Sequence, residues 1–238
     1  MLESREVTMR FGSTVALDHV TLRLEPGHIY ALLGPNGSGK TTWMKLATGL
    51  LHPTEGQMLW KGETVGMHSR EDVAYMSTEP FFYPWMTAKS VGKYYEDFFA
   101  DFDPARYEDL LRRMDLAPGL KVKNLSSGMM AKMKVAVTLA RRAKVYLLDE
   151  PFNGIDLLAR DQIARTIVEA ADSDTVLAMS SHLVEEMEGI ADWAVFIKQG
   201  RLVESCDLET MRQRTGLSMA DRYRQVYADL GAGDKEVL

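Results

Sequence analysis

A single cysteine, Cys206, stands among 238 residues. That excludes an internal disulfide and a CxxC metal site, and it suits a reducing compartment. Excess positive charge is missing too: 28 lysines and arginines face 34 aspartates and glutamates, a formal net charge of −6. A general nucleic-acid binder carries a basic balance or stripe, so no nucleic-acid partner is expected. No stretch approaches the roughly 18 apolar residues of a membrane span, so the chain is not expected to enter a bilayer itself. The N-terminal "MLESREVTMRF" has acids at Glu3 and Glu6 and no apolar core, unlike a signal peptide. There is no internal repeat and no low-complexity segment. What is there is an ordinary folded composition, 46% hydrophobic and 26% charged. It can bury a sizeable core in one large domain or two small ones.

The N-terminal part reads as strands and turns: "REVTMRF", "VALDHVTLRL", a turn at Pro26-Gly27, then "HIYALL". That last strand runs into "GPNGSGK", and "TTWMKLATGLL" follows with helical spacing at Trp43, Leu46, Ala47 and Leu50. "GQMLW" and "VAYMS" read as further strands. From about Glu79 to Lys144 the character becomes helical, and residues 81 to 102 hold nine of the chain's 21 aromatics. Then "KVYLLDE" and "DTVLAMSSH" are nearly continuous apolar runs, as in strands buried on both faces. "WAVFIKQGRLVES" reads as a hairpin turning at Gln199-Gly200, and the tail from Asp207 to Leu238 as helix with a frayed, charged end. The expected layout is an α/β core at about 1–78 and 145–205. A helical subdomain is inserted at about 79–144, and a helical tail covers about 206–238.

Strand, glycine loop and helix in that order can cradle a polyphosphate. Gly34 to Thr41 satisfies GxxxxGK[ST], so bare backbone at Gly34, Gly37 and Gly39 lets N–H groups form a nest around phosphate. Lys40 would contact the β and γ phosphates, and Thr41 would ligate Mg²⁺. "VYLLDE" ends in Asp149 and Glu150, where α/β sheets present their sites. Asp149 suits the Mg²⁺ shell, and Glu150 could accept a proton from an attacking water. "LSSGM", Leu125 to Met129, opens a helix with Met133, Val137 and Ala140 on one face. Taken alone, serine and glycine there read as capping chemistry before an anion site. "SSH" places His182 after a buried strand, at the start of an expected helix "LVEEMEG". His19, His28, His52 and His68 read as structural.

In these pieces, residues 2 to about 205 resemble an ATP-binding cassette, the nucleotide-binding subunit of ABC transporters. "GPNGSGKTT" matches Walker A, "LSSGM" the signature, "VYLLDEP" Walker B, "NGID" the D-loop and "SSH" the switch histidine. Asp149 follows Lys40 by 109 residues, and the signature precedes Walker B by about 20, as in the family. The resemblance implies a P-loop NTPase (ABC ATPase) core with an N-terminal antiparallel β-subdomain and an inserted helical subdomain. It implies ATP held by Gly34, Pro35, Asn36, Gly37, Ser38, Gly39, Lys40, Thr41 and Thr42, with Phe11 stacking on adenine. Mg²⁺ would sit on Thr41 and Asp149, with Glu150 as general base and His182 on the γ-phosphate and the attacking water. Ser126 and Gly128 would bind the γ-phosphate of ATP held by a second, identical or related cassette, so that ATP joins two subunits. The remaining partner implied is a polytopic membrane subunit, with the chain peripheral on the cytoplasmic face of the cell membrane.

Two positions depart from the family. Thr78 stands where the Q-loop glutamine would touch Mg²⁺, and its shorter side chain implies a contact through water. Ser127 and Met129 replace the third and fifth residues of LSGGQ. The signature helix resembles those of bacterial exporters of drugs, peptides and antibiotics, so export is the expected direction. Competing readings are a soluble ABC ATPase acting in translation or repair, and a P-loop kinase of small molecules. The first would carry two cassettes or a long coiled-coil insertion, and the second would need neither "LSSGM" nor His182. The aromatic segment has two readings: the core of the helical subdomain, or a groove rimmed by Phe81, Phe82, Tyr83 and Trp85 for a helix of the membrane partner.

Overall fold

The computed structural model describes residues 1–79 and 81–228. Alternation of apolar and polar residues in the N-terminal strands produces a sheet with one buried face. β1 (Leu2–Phe11), β2 (Thr14–Leu24), β4 (Glu55–Trp60) and the short β5 (Glu63–Thr64) form it in the order β2-β1-β4-β5, all antiparallel. Leu17, Val20, Leu22 and Leu24 of β2 all point inward.

The second sheet has the order β10-β9-β3-β8-β7-β6, built from β3 (His28–Leu33), β6 (Val73–Met76), β7 (Val145–Asp149), β8 (Val176–Ser181), β9 (Trp193–Lys198) and β10 (Arg201–Asp207). Its strands run parallel except β10, which returns antiparallel through the turn at Gln199-Gly200. Continuous apolar runs here serve two cores at once, since successive side chains leave opposite faces. Tyr30, Leu32, Val145, Leu147, Val176 and Ala178 join the antiparallel sheet and α1 (Lys40–Ala47) in one core. Ile29, Ala31, Leu33, Tyr146, Leu148, Leu177 and Met179 face the helices in the other.

Those helices are α2 (Ala88–Phe98), α3 (Pro104–Arg113) and α4 (Ser127–Leu139), lying between β6 and β7 in the chain, and α5 (Leu157–Ala170), between β7 and β8. Met133, Val137 and Ala140, expected on one face, are all fully buried. Arg141, just past α4, is buried as well. Its Nε bonds both oxygens of Asp101 at 3.0 Å, and its other nitrogens bond the carbonyls of Val73, Arg70 and Glu71. This one side chain ties the helical segment to the edge strand β6. The tail forms α6 (Leu208–Thr215) and α7 (Met219–Tyr227); its expected charged end, 229–238, lies outside the described residues.

The aromatic segment divides between its two readings. Phe82 and Phe102 are buried, with Tyr95 and Phe99 packed against that core. Phe81, Tyr83, Trp85, Tyr94 and Phe98 stay exposed, and Trp85 stacks on Tyr83 with ring centroids 5.6 Å apart. One expected helix does not form. "LVEEMEG" contains only a 3-10 turn, Val184–Glu186. The Ser181 hydroxyl accepts from the Leu183 N–H and donates to the Glu186 carboxylate, holding a turn, and Gly189 at φ 81° ends any helical course.

Candidate functional site

β3, β8 and β7 are adjacent and parallel, so their C-terminal ends open on one side of the sheet. Leu33 pairs with Ser181, and Asp149 with Ser180, which brings "GPNGSGK", "DE" and "SSH" within reach of one another. Where strands end in parallel, ligand crevices form. Here a cleft of about 630 Å³ opens. Asn36 to Thr42 line its floor, Glu150, Asn153 and His182 one wall, and Phe11 with Thr14, Val15 and Ala16 another; Thr78 sits at its rim.

The loop can take this path only because it lacks side chains at two points. A Cβ on Gly34 would lie 2.3 Å from the Ile197 carbonyl oxygen, and one on Gly39 2.7 Å from Leu17 Cδ2. Gly37, at φ 77°, meets nothing and needs glycine for conformation alone. Lys40 is 5% exposed. Its ammonium donates to the Gly34 carbonyl at 2.6 Å and the Pro35 carbonyl at 3.2 Å, and lies 3.7 Å from a Glu150 oxygen. Burial lowers its pKa, while the charges of Glu150 and Asp149 oppose that shift. Among the described residues, Ser38 Oγ is the buried side-chain polar atom left without a partner. An orphan donor beside a nest of N–H groups is what an anion satisfies.

Asp149 is fully buried and accepts from four hydroxyls. Thr41 at 3.1 Å and Ser180 at 2.6 Å donate to Oδ1; Thr78 at 2.9 Å and Tyr75 at 3.3 Å donate to Oδ2. Burial, then the Asp149 charge, pushes the Tyr75 phenol up. Thr78, expected to reach Mg²⁺ through water, bonds this carboxylate directly. Glu150 follows at φ 51°, unusual for a residue with a side chain, and its N–H is caught by Ser180 Oγ at 2.9 Å. Such backbone strain concentrates at functional sites. The Glu150 carboxylate meets His182 Nδ1 at 2.9 Å. An ionised carboxylate only accepts, so the shared hydrogen then belongs to Nδ1.

Thr41 Oγ1 and Asp149 Oδ1 are hard oxygen donors on adjacent elements. Mg²⁺ is usually bound by one or two carboxylates together with substrate phosphates and waters, and this pair fits that demand. No cluster of three or more His, Cys, Asp or Glu exists among the described residues, so no all-protein metal cage competes.

Ser126 and Gly128 do not line the cleft. Ser126 caps α4, accepting from the Met129 N–H at 3.2 Å. A Cβ on Gly128 would come 3.3 Å from the Cβ of Ala159 and 3.6 Å from Asp156 of "NGID". The signature therefore lies against the Asp156 end of the D-loop, while Asn153 at its other end lines the cleft. Sequence reasoning missed Ser180, Tyr75, Asn153 and Lys134. Lys134, on α4, donates to the Thr78 carbonyl at 2.7 Å, and burial pushes its pKa down to about 8 against the pull of Asp149. A lysine inside the apolar run "MKVAVTL" was the available signal.

Comparisons with known proteins agree with this geometry. The ABC transporter family model matches residues 17–153. The ABC transporter ATP-binding protein YtrB of Bacillus subtilis (strain 168) is 29% identical over 216 residues, covering 90% of this chain and 74% of that protein. The lantibiotic transport ATP-binding protein SrtF of Streptococcus pyogenes is 30% identical over 208 residues, covering 85% and 89%. A solved ATP-binding subunit of an ABC transporter superposes with a TM-score of 0.84 at 26% identity, covering 97% of this chain and 99% of that one. The chain therefore belongs to the ABC transporter family, as one of its ATP-binding ATPase subunits.

Proposed function

We propose that this chain binds Mg-ATP in the cleft and hydrolyses it against a second cassette, driving a separate membrane subunit whose work is export. The observation that carries the reading is the convergence of Lys40, Thr41, Asp149, Glu150 and His182 at the ends of three adjacent strands. The phosphates lie along the N–H groups of residues 36–42, and the Lys40 ammonium exchanges its loop carbonyls for β and γ oxygens. Phe11, 49% exposed at the cleft wall, offers a ring face to adenine. Mg²⁺ on Thr41 and Asp149, when bound, neutralises charge developing on the phosphates. Glu150 takes a proton from a water as the water oxygen bonds the γ-phosphorus and the bond to the β–γ bridging oxygen breaks. His182 holds Glu150 in orientation through Nδ1.

Ser126 and Gly128 serve a nucleotide on a partner cassette, since they stand away from their own cleft while a helix N-terminus suits an anion. The exposed stack of Tyr83 and Trp85 is the surface for the membrane subunit, as aromatic enrichment marks docking hot spots. No helix among the described residues is long and apolar enough to cross a membrane. The chain then attaches at the cytoplasmic face through that partner. Export draws support from the relative SrtF, whose name assigns it to lantibiotic transport.

Phosphate release tests the reading. Wild type should hydrolyse Mg-ATP, and Glu150→Gln should lose about 10²–10⁴-fold in turnover while still binding a fluorescent ATP analogue. Undiminished turnover in Glu150→Gln would remove the general base and with it the mechanism.

A further inference from the structure

Lys134 is the unexplained charge of the helical segment. It is 6% exposed, on a helix whose neighbouring Met133, Val135, Val137 and Leu139 are fully buried and apolar. An ammonium in such surroundings is costly unless it is hydrogen-bonded to something specific. Among the described residues its side chain makes one hydrogen bond, to the Thr78 carbonyl at 2.7 Å. Thr78 is engaged at its other end too, for its hydroxyl donates to Asp149 Oδ2 at 2.9 Å. A short chain of contacts thus runs from α4 through one threonine to the carboxylate facing Thr41. The cap residue Ser126 begins the same helix, eight residues before Lys134, about 12 Å along the axis at 1.5 Å per residue.

We propose that Lys134 is a positioning residue for nucleotide hydrolysis: through the Thr78 carbonyl it sets the Thr78 hydroxyl on Asp149, and so links the placement of α4 to the metal-holding carboxylate. The inference rests on Asp149 belonging to the Mg²⁺ shell. Threonine cannot reach a metal from position 78 as a glutamine would, so its effect passes through Asp149. A rigid helix with the signature serine at one end and Lys134 two turns on would then report the engagement of a partner's nucleotide to this chain's own site. Partners of a ligating carboxylate commonly matter tenfold to a hundredfold for metal affinity or rate.

The test uses the full chain with Lys134→Met, Thr78→Val and the double variant. Methionine fills similar volume without the charge, and valine keeps the Thr78 carbonyl while deleting the hydroxyl. Three quantities are read: kcat and KM for ATP, affinity for a fluorescent ATP analogue in EDTA and in Mg²⁺, and melting temperature. Each single variant should lower kcat roughly 10–100-fold and shrink the Mg²⁺-dependent gain in affinity. Affinity in EDTA should stay within about twofold, and the double variant should be no worse than either single by more than about twofold. Multiplicative losses in the double variant overturn the relay, as does a Lys134→Met protein with kcat and Mg²⁺ response within about twofold of wild type. Should Lys134→Met fail to fold, Thr78→Val decides alone: unchanged kcat rejects the proposal. Asp149→Asn in the same assays separates the two layers. Full turnover and Mg²⁺ response there would sink the site reading itself, whereas an inactive Asp149→Asn beside a wild-type-like Lys134→Met sinks only the relay.

Discussion

Lys40 shows how a single side chain is prepared for its ligand. Its ammonium is desolvated and satisfied by two carbonyls of its own loop, with Glu150 at 3.7 Å completing the charge balance. Phosphate can take over contacts that carbonyls now make, without moving the chain around them. Lys40→Ala should therefore weaken ATP binding roughly ten- to hundredfold, the worth of a charge-assisted hydrogen bond of about 1.5–3 kcal/mol. Titration with a fluorescent ATP analogue measures it, and unchanged affinity with unchanged turnover rejects the assignment. Lys40, Thr41, Asp149 and Glu150 were legible because each falls in a short run whose spacing has a mechanical reason. Ser180 and Lys134 were not. Ser180 meets Asp149 across 31 residues, and Lys134 meets Thr78 across 56, so their roles exist only once strands and helices are in register.

Among the elements, β3, β7 and β8 were legible as apolar runs because burial on both faces leaves no polar position. The expected helix after His182 was not to be had from propensity, since Ser181 and Glu186 close a local turn that outcompetes it. The aromatic segment resisted prediction for another reason: composition marks rings as buried or docking, and only packing sorts them. That sorting has a measurable consequence. Phe82→Ala empties a core position and should cost about 3–5 kcal/mol. Trp85→Ala, on a residue 67% exposed, should leave melting and isolated ATPase activity nearly intact and weaken assembly with the membrane subunit. Thermal melting beside co-purification separates them, and a large melting drop for Trp85→Ala contradicts the docking surface. Arg141 is the counterpart inside. Its loss strands the Asp101 carboxylate and three carbonyls, so Arg141→Ala should cost about 3–5 kcal/mol, at roughly 2–4 °C per kcal/mol in melting temperature. A shift of under about 2 °C would show that Arg141 bears little of the junction.

For the molecule as a whole, the parallel sheet stands between two cores, one under the antiparallel sheet and α1, the other under α2 to α5. The cleft belongs to the strand ends between them, while Ser126 and Gly128 belong to the helical side and stand away from it. On the proposed reading, one chain holds both halves of a nucleotide site without being able to join them. Two cassettes would, each bringing its signature to the other's phosphates. That claim is tested most directly by the mass in solution of Glu150→Gln, which should bind ATP without consuming it. Light scattering after size exclusion in Mg-ATP should give twice the monomer mass, reverting to monomer in EDTA or on replacing Ser126 with Glu. A protein that stays monomeric at saturating Mg-ATP would contradict the account.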